Sequence, residues 1–183
     1  MVLVASVLLV LSAAACGEDG GGASSASTPV ADFNEADVRF ASEMILHHQQ
    51  AVQLASMAGY QARSAQVKRL AATVGAAQEP EIKTLSAWLA GWGKPTPQQA
   101  HGHDEELPGM MTQDELHDLG DVPGAAFDRA WAQWMIKHHQ GAIAMAKAQQ
   151  TAGKSPAAVA LAKKIELTRT KEITTLRQHS STR

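Results

Sequence analysis

Two stretches of this chain align without a gap at a constant offset of 91 positions, and that repeat limits the fold more than any other property. Met44-Ile45-Leu46-His47-His48-Gln49-Gln50-Ala51 matches Met135-Ile136-Lys137-His138-His139-Gln140-Gly141-Ala142. Asp37 matches Asp128, Ser64 matches Ser155, Glu81-Ile82 matches Glu172-Ile173, and Leu85 matches Leu176. Alanine is abundant, β-branched runs are missing, and apolar residues recur at helical spacing. The pattern predicts four helices, at about Asn34 to Gly59, Ser64 to Ala90, Pro123 to Ala152 and Ser155 to His179. Asn34 and Ser155-Pro156 are start signals, and Gly59, Gly91 and Gly153 are stops. The turns inside each copy are short, so each helix pair is antiparallel. One hairpin cannot bury its apolar face alone. The predicted fold is therefore all-α, a four-helix bundle built from a duplicated antiparallel helical hairpin.

The repeats cover about 34–93 and 123–179, and a long connection over 94–122 crosses the bundle between them. This connection carries His101, His103, Met110, Met111 and His117. Within it, Thr112-Gln113-Asp114-Glu115 reads as a capping box opening a short helix through Leu119.

Residues 1–15 are apolar and small, and they end at Cys16-Gly17. The run is too short to span a bilayer, which takes about 20 apolar residues. It resembles the hydrophobic core and cleavage region of a bacterial lipoprotein signal, in which the cysteine is lipidated and starts the mature chain. No Lys or Arg precedes the run, as a signal peptide would normally show. An ordinary secretory signal and an uncleaved anchor are the alternatives. Cys16 is the only cysteine, so no intramolecular disulfide forms. Residues 16–30 are a Gly/Ser/Ala-rich flexible tether, and 31–183 is one domain. The expected location is the extracytoplasmic face of the cell membrane, held by an N-terminal lipid. A formal net charge of -2 with scattered basic residues gives no nucleic-acid surface, and nothing points to a protein partner.

Residues three and four apart share a helix face. By that rule His48 and His139 face the core, while His47 and His138 lie nearer the margin. Asp37 and Asp128 stand on nearly the same face three turns earlier. Glu81 and Glu172 interrupt the apolar stripes of their helices. A carboxylate buried without a partner costs several kcal/mol or shifts its pKa. These groups must therefore satisfy one another, meet water or hold a metal. His with Met is the donor set of a soft or borderline metal. His47, His48, His138, His139, Met44 and Met135 are accordingly the candidate ligands. Asp37, Glu81, Asp128 and Glu172 are candidate further ligands or supports behind them. Met44 and Met135 taken alone are core filling. A bland alternative has the glutamates accept hydrogen bonds from the histidines and fix the register of the bundle. Arg169 stands where the first copy has Gln78, three residues before Glu172 and within ion-pair reach of it. Pro80 is expected to kink its helix just before Glu81.

At these residues the chain resembles the bacterial family called domain of unknown function 305. The shared motif is Asp-x6-Met-Ile-x-His-His-Gln-x-Ala, at Asp37 to Ala51 and again at Asp128 to Ala142. The resemblance implies a ferritin-like four-helix fold, secretion or lipid anchoring and, for some members, periplasmic copper binding. The leading expectation is an extracytoplasmic copper-binding lipoprotein that buffers or delivers its metal, with another divalent ion as the variant. The alternative is a structural or partner-binding bundle whose His/Glu/Asp network is satisfied internally. A ferritin-like di-metal oxidase ranks lower, because its Glu-x-x-His motif is missing. No nucleophile or cofactor motif points to catalysis.

Overall fold

The computed structural model of the chain describes residues 32–97 and 107–181. They form five helices: α1 (Glu35–Gln61), α2 (Ala65–Gly91), α3 (Gln113–Asp121), α4 (Gly124–Ala152) and α5 (Pro156–Ser180). There is no strand among the described residues. No helix among them is long and apolar enough to cross a membrane. The expected signal, the expected tether and Cys16, the expected lipidation site, lie outside the described residues, as do His101 and His103.

The helices begin where the side chains supply acceptors for otherwise unpaired backbone N–H groups. Asn34 and Asp37 form a capping box on α1, and Thr112 and Glu115 form one on α3. Ser64 and Ser155 cap α2 and α5, with Pro156 at the first turn of α5. α2 runs through Pro80, which leaves the Ala76 carbonyl without its usual helical donor.

α1 packs along α2, α4 packs along α5, and α1 against α4 joins the two hairpins. The core has two apolar clusters. One joins Leu54, Val67, Val74, Phe127, Trp131 and Met135, covered by Met111, Leu116 and Leu119 from the connection. The other joins Phe40, Met44, Ile45, Leu85, Leu89, Met145 and Ile165. Between the two clusters every long helix buries polar side chains: His47, His48 and Gln50 on α1, Gln78 and Glu81 on α2, His138 and His139 on α4, and Arg169 on α5.

Asp37 and Asp128 do not join that polar layer. The structure places them at the ends of the bundle, where each grips the turn of the other hairpin. Asp128 accepts from the backbone N–H of Arg63 and Ser64, at 2.9 and 2.8 Å. Asp37 accepts from Lys154 and Ser155, both at 3.0 Å, and from Asn34 at 2.8 Å. These are equivalent positions in the two repeats. Burial alone would raise the Asp37 carboxyl; its N–H donors outweigh that and hold it below the usual range. Asp37→Ala would leave three backbone N–H groups without their acceptor. It is expected to cost about 2–3 kcal/mol in a urea melt, against less for Asp128→Ala, which frees two. Equal or negligible losses would contradict this assignment.

Candidate functional site

The middle layer is built by the repeated His-His pairs. None of His47, His48, His138 and His139 is more than 1% exposed. His47 and His138 therefore do not lie at a margin, as the helix-face rule predicted. Their rings meet across the α1–α4 seam with centroids 3.8 Å apart. The reason is the connection. Residues Leu107 to Met111 form a strap across that seam. The Pro108 carbonyl accepts a hydrogen bond from His47 Nε2 at 3.1 Å. The Gln50 side chain clasps both the N–H and the carbonyl of Met111, at 2.8 Å each. In the second repeat Gly141 takes the place of Gln50. A Cβ there would overlap the Pro108 carbonyl, so only glycine lets the strap down. Gly109, at φ 77°, is also restricted: a Cβ there would lie 2.5 Å from the Lys137 carbonyl oxygen and 3.2 Å from the Gly141 backbone.

Behind the histidines runs an ionic chain. His48 Nε2 lies 2.9 Å from Glu81 Oε2. Arg169 bridges the two glutamates, with Nη2 2.8 Å from Glu81 Oε2 and Nη1 2.9 Å from Glu172 Oε2. His139 Nε2 lies 2.8 Å from Glu172 Oε2, close but off the line of a well-formed hydrogen bond. The chain thus reads His48, Glu81, Arg169, Glu172, His139. The Arg169–Glu172 pair was visible in the sequence; the second arm to Glu81 was not. Gln78, one turn before Glu81, is buried with neither amide atom partnered by protein.

Burial holds all four imidazoles in the neutral form. His47 falls to about 3, through burial and then the neighbouring His48. His138 falls well below its ordinary value, through burial and then His47. His48 and His139 also fall by burial, although Glu81 and Glu172 pull them back up. Burial works against the Glu81 and Glu172 carboxylates. Their histidine partners and Arg169 outweigh it and keep both below the usual range.

The tautomers follow. A neutral imidazole has one N–H and one lone pair. Where Nε2 donates to an oxygen, Nδ1 carries the lone pair. His47 and His48 are in this state, and His139 faces its carboxylate through the same atom. The Nδ1 atoms of all four histidines are buried without a protein hydrogen-bond partner, and in His138 and His139 so is Nε2. Metal-binding histidines show this arrangement, with the far N–H held by a carboxylate or a backbone carbonyl. The donors therefore fit a metal that takes imidazole nitrogen. Met44 and Met135 are fully buried, one in each apolar cluster. Among the described residues, no three His, Cys, Asp or Glu side chains form a ready-made metal cluster. His117, by contrast, is exposed on α3 beside Asp121 at 3.6 Å, away from this layer.

A duplicated helical hairpin with a buried histidine layer at its centre defines the class of protein. The chain belongs to the DUF305 family, a domain of unknown function, whose pattern matches residues 37–180. A DUF305 protein from Streptomyces coelicolor, described as secreted, is 28% identical at a TM-score of 0.71, over 80% of this chain and 90% of that one. A DUF305 fragment from Deinococcus radiodurans is 28% identical at a TM-score of 0.72, over 79% of this chain and 95% of that one. CopM in its Cu(II)-bound form is 31% identical at a TM-score of 0.69, over 79% and 95%. CopM is also solved in Cu(I)-bound, Ag-bound and apo forms. No curated protein matches the chain.

Proposed function

We propose that this protein is an extracytoplasmic copper-binding lipoprotein that buffers or hands over its ion. The observation that carries this reading is the set of four buried, neutral imidazoles with unpartnered Nδ1 atoms. A buried polar nitrogen without a partner is costly, and a bound cation removes that cost. Neutral imidazole suits copper, and the thioethers of Met44 and Met135 suit Cu(I) in particular. His47, His48, His138 and His139 would hold the metal, which supplies only its own charge and exchange chemistry when bound. Glu81 and Glu172 orient His48 and His139 from behind. The copper-bound forms of CopM, at similar fold and 31% identity, support the same reading. Lipid attachment at Cys16 would keep the protein at the outer face of the membrane, in line with a secreted relative.

The test is anaerobic titration of the metal-stripped full chain with Cu(I) against a chromogenic chelator. Stoichiometric uptake is expected, falling by about a hundredfold in His47→Ala/His138→Ala, the scale of losing ligands and their supports. No uptake by the wild type would sink the proposal.

One observation favours a second reading, a structural bundle. The chain from His48 to His139 closes on itself through Arg169. Such a network can fix register without metal. In that case copper leaves the melting temperature unchanged, whereas a bound ion raises it by mass action.

A further inference from the structure

We propose that Arg169 makes the histidine layer selective for one soft monovalent cation over divalent ions. This rests on the metal-binding reading above and adds the charge class of the ion.

The argument is a count of buried charge. The layer holds two carboxylates, Glu81 and Glu172, and one guanidinium between them. Arg169 is 1% exposed, so its charge is felt at full strength inside the bundle. A second cation, Lys164, pairs with Glu81 from the surface. It stands 3.7 Å from Glu81 Oε1 with its side chain 67% exposed, so water screens it. An imidazole that ligates a metal does so through a neutral ring's lone pair and adds no charge to the count. The layer therefore carries one net negative charge. A monovalent ion brings it to zero. A divalent ion leaves a positive charge buried and uncompensated, which is strongly unfavourable.

The repeat itself supplies the comparison. The first copy has Gln78 where the second has Arg169, and Gln78 is equally buried. Two uncharged residues at these positions would leave the layer doubly negative and suited to a divalent ion. This departure from symmetry thus lowers the charge of the ion that fits.

The experiment compares silver(I) and zinc(II) in chloride-free buffer. Both are d10 ions without redox chemistry, and each is titrated into the metal-stripped full chain by calorimetry. The quantity read is the ratio of the two affinities in each variant, so ion-specific preferences cancel between variants. Arg169→Gln is expected to move the ratio toward zinc by about tenfold or more, the effect of removing one nearby buried charge. Arg169→Lys, which keeps the charge but not the planar fork, should leave the ratio near the wild-type value. A purely structural role would make Gln and Lys behave alike, and that result would overturn the proposal. If Arg169→Gln does not fold, Glu172→Gln carries the test with the opposite sign, toward silver. Metal binding with an unmoved ratio overturns the selectivity role and spares the copper site. Absence of binding by either ion overturns both.

Discussion

Gly141→Ala is expected to destabilise the protein by about 1–3 kcal/mol, the range for overpacking a tight contact. The sign is opposite to the ordinary effect. An alanine in the middle of a helix normally gains up to about 1 kcal/mol over glycine. At Gly141 the new methyl meets Pro108 backbone atoms, which have no rotamer to escape into. The strap must lift, and lifting it breaks the Pro108 contact to His47 and loads the Gln50 clasp on Met111. His47 and His138 should then become reactive to a histidine-modifying reagent such as diethyl pyrocarbonate. Gly59→Ala is the control. It also lies in a helix, but nothing lies within 4 Å of its added Cβ, and it should gain stability. Equal gains at both positions would show that the strap does not rest on Gly141.

The second large effect is acid sensitivity of the metal-free protein. The folded pKa of each layer histidine is depressed, so the unfolded chain binds protons that the folded chain refuses. Stability is full above about pH 6.5 and is lost as pH falls below it. For His47 the window runs from 6.5 down to about 3. At about 1.4 kcal/mol per unit, that residue alone removes on the order of 5 kcal/mol across it. Many domains have only about 5–15 kcal/mol in total. Glu81 and Glu172 add a further loss below 4.5, where the unfolded carboxylates take up protons first. Urea melts at pH 7 and pH 5 should therefore differ sharply. His47→Leu should reduce the difference by that residue's share, even if it also changes the stability at pH 7. A wild-type protein equally stable at both pH values would contradict the neutral, buried assignment.

The helices were legible because their signals are local. The first was expected to stop at Gly59 and stops at Gln61; the short one in the connection starts at its capping box as expected. The duplication gave the pairing, since two equal amphipathic hairpins have few ways to bury both stripes. What escaped were contacts between residues far apart in sequence. Asp37 reaches Ser155 across 118 positions, and Arg169 reaches Glu81 across 88. The face rule counts helices only, so it left His47 at a margin that the connection covers. One sign of the strap was present. Gln50 and Gly141 are unlike residues in the best-aligned part of the repeat, and that mismatch marks the two sides of a contact the repeat alone does not contain.

The reciprocal grip of Asp37 and Asp128 has a consequence for how the molecule comes apart. Neither hairpin supplies the acceptor for its own turn; each depends on a carboxylate lent by its neighbour. Fraying at one end therefore unties a turn in the opposite half. The duplicated halves have become interdependent, and they open as one cooperative body rather than as two independent modules.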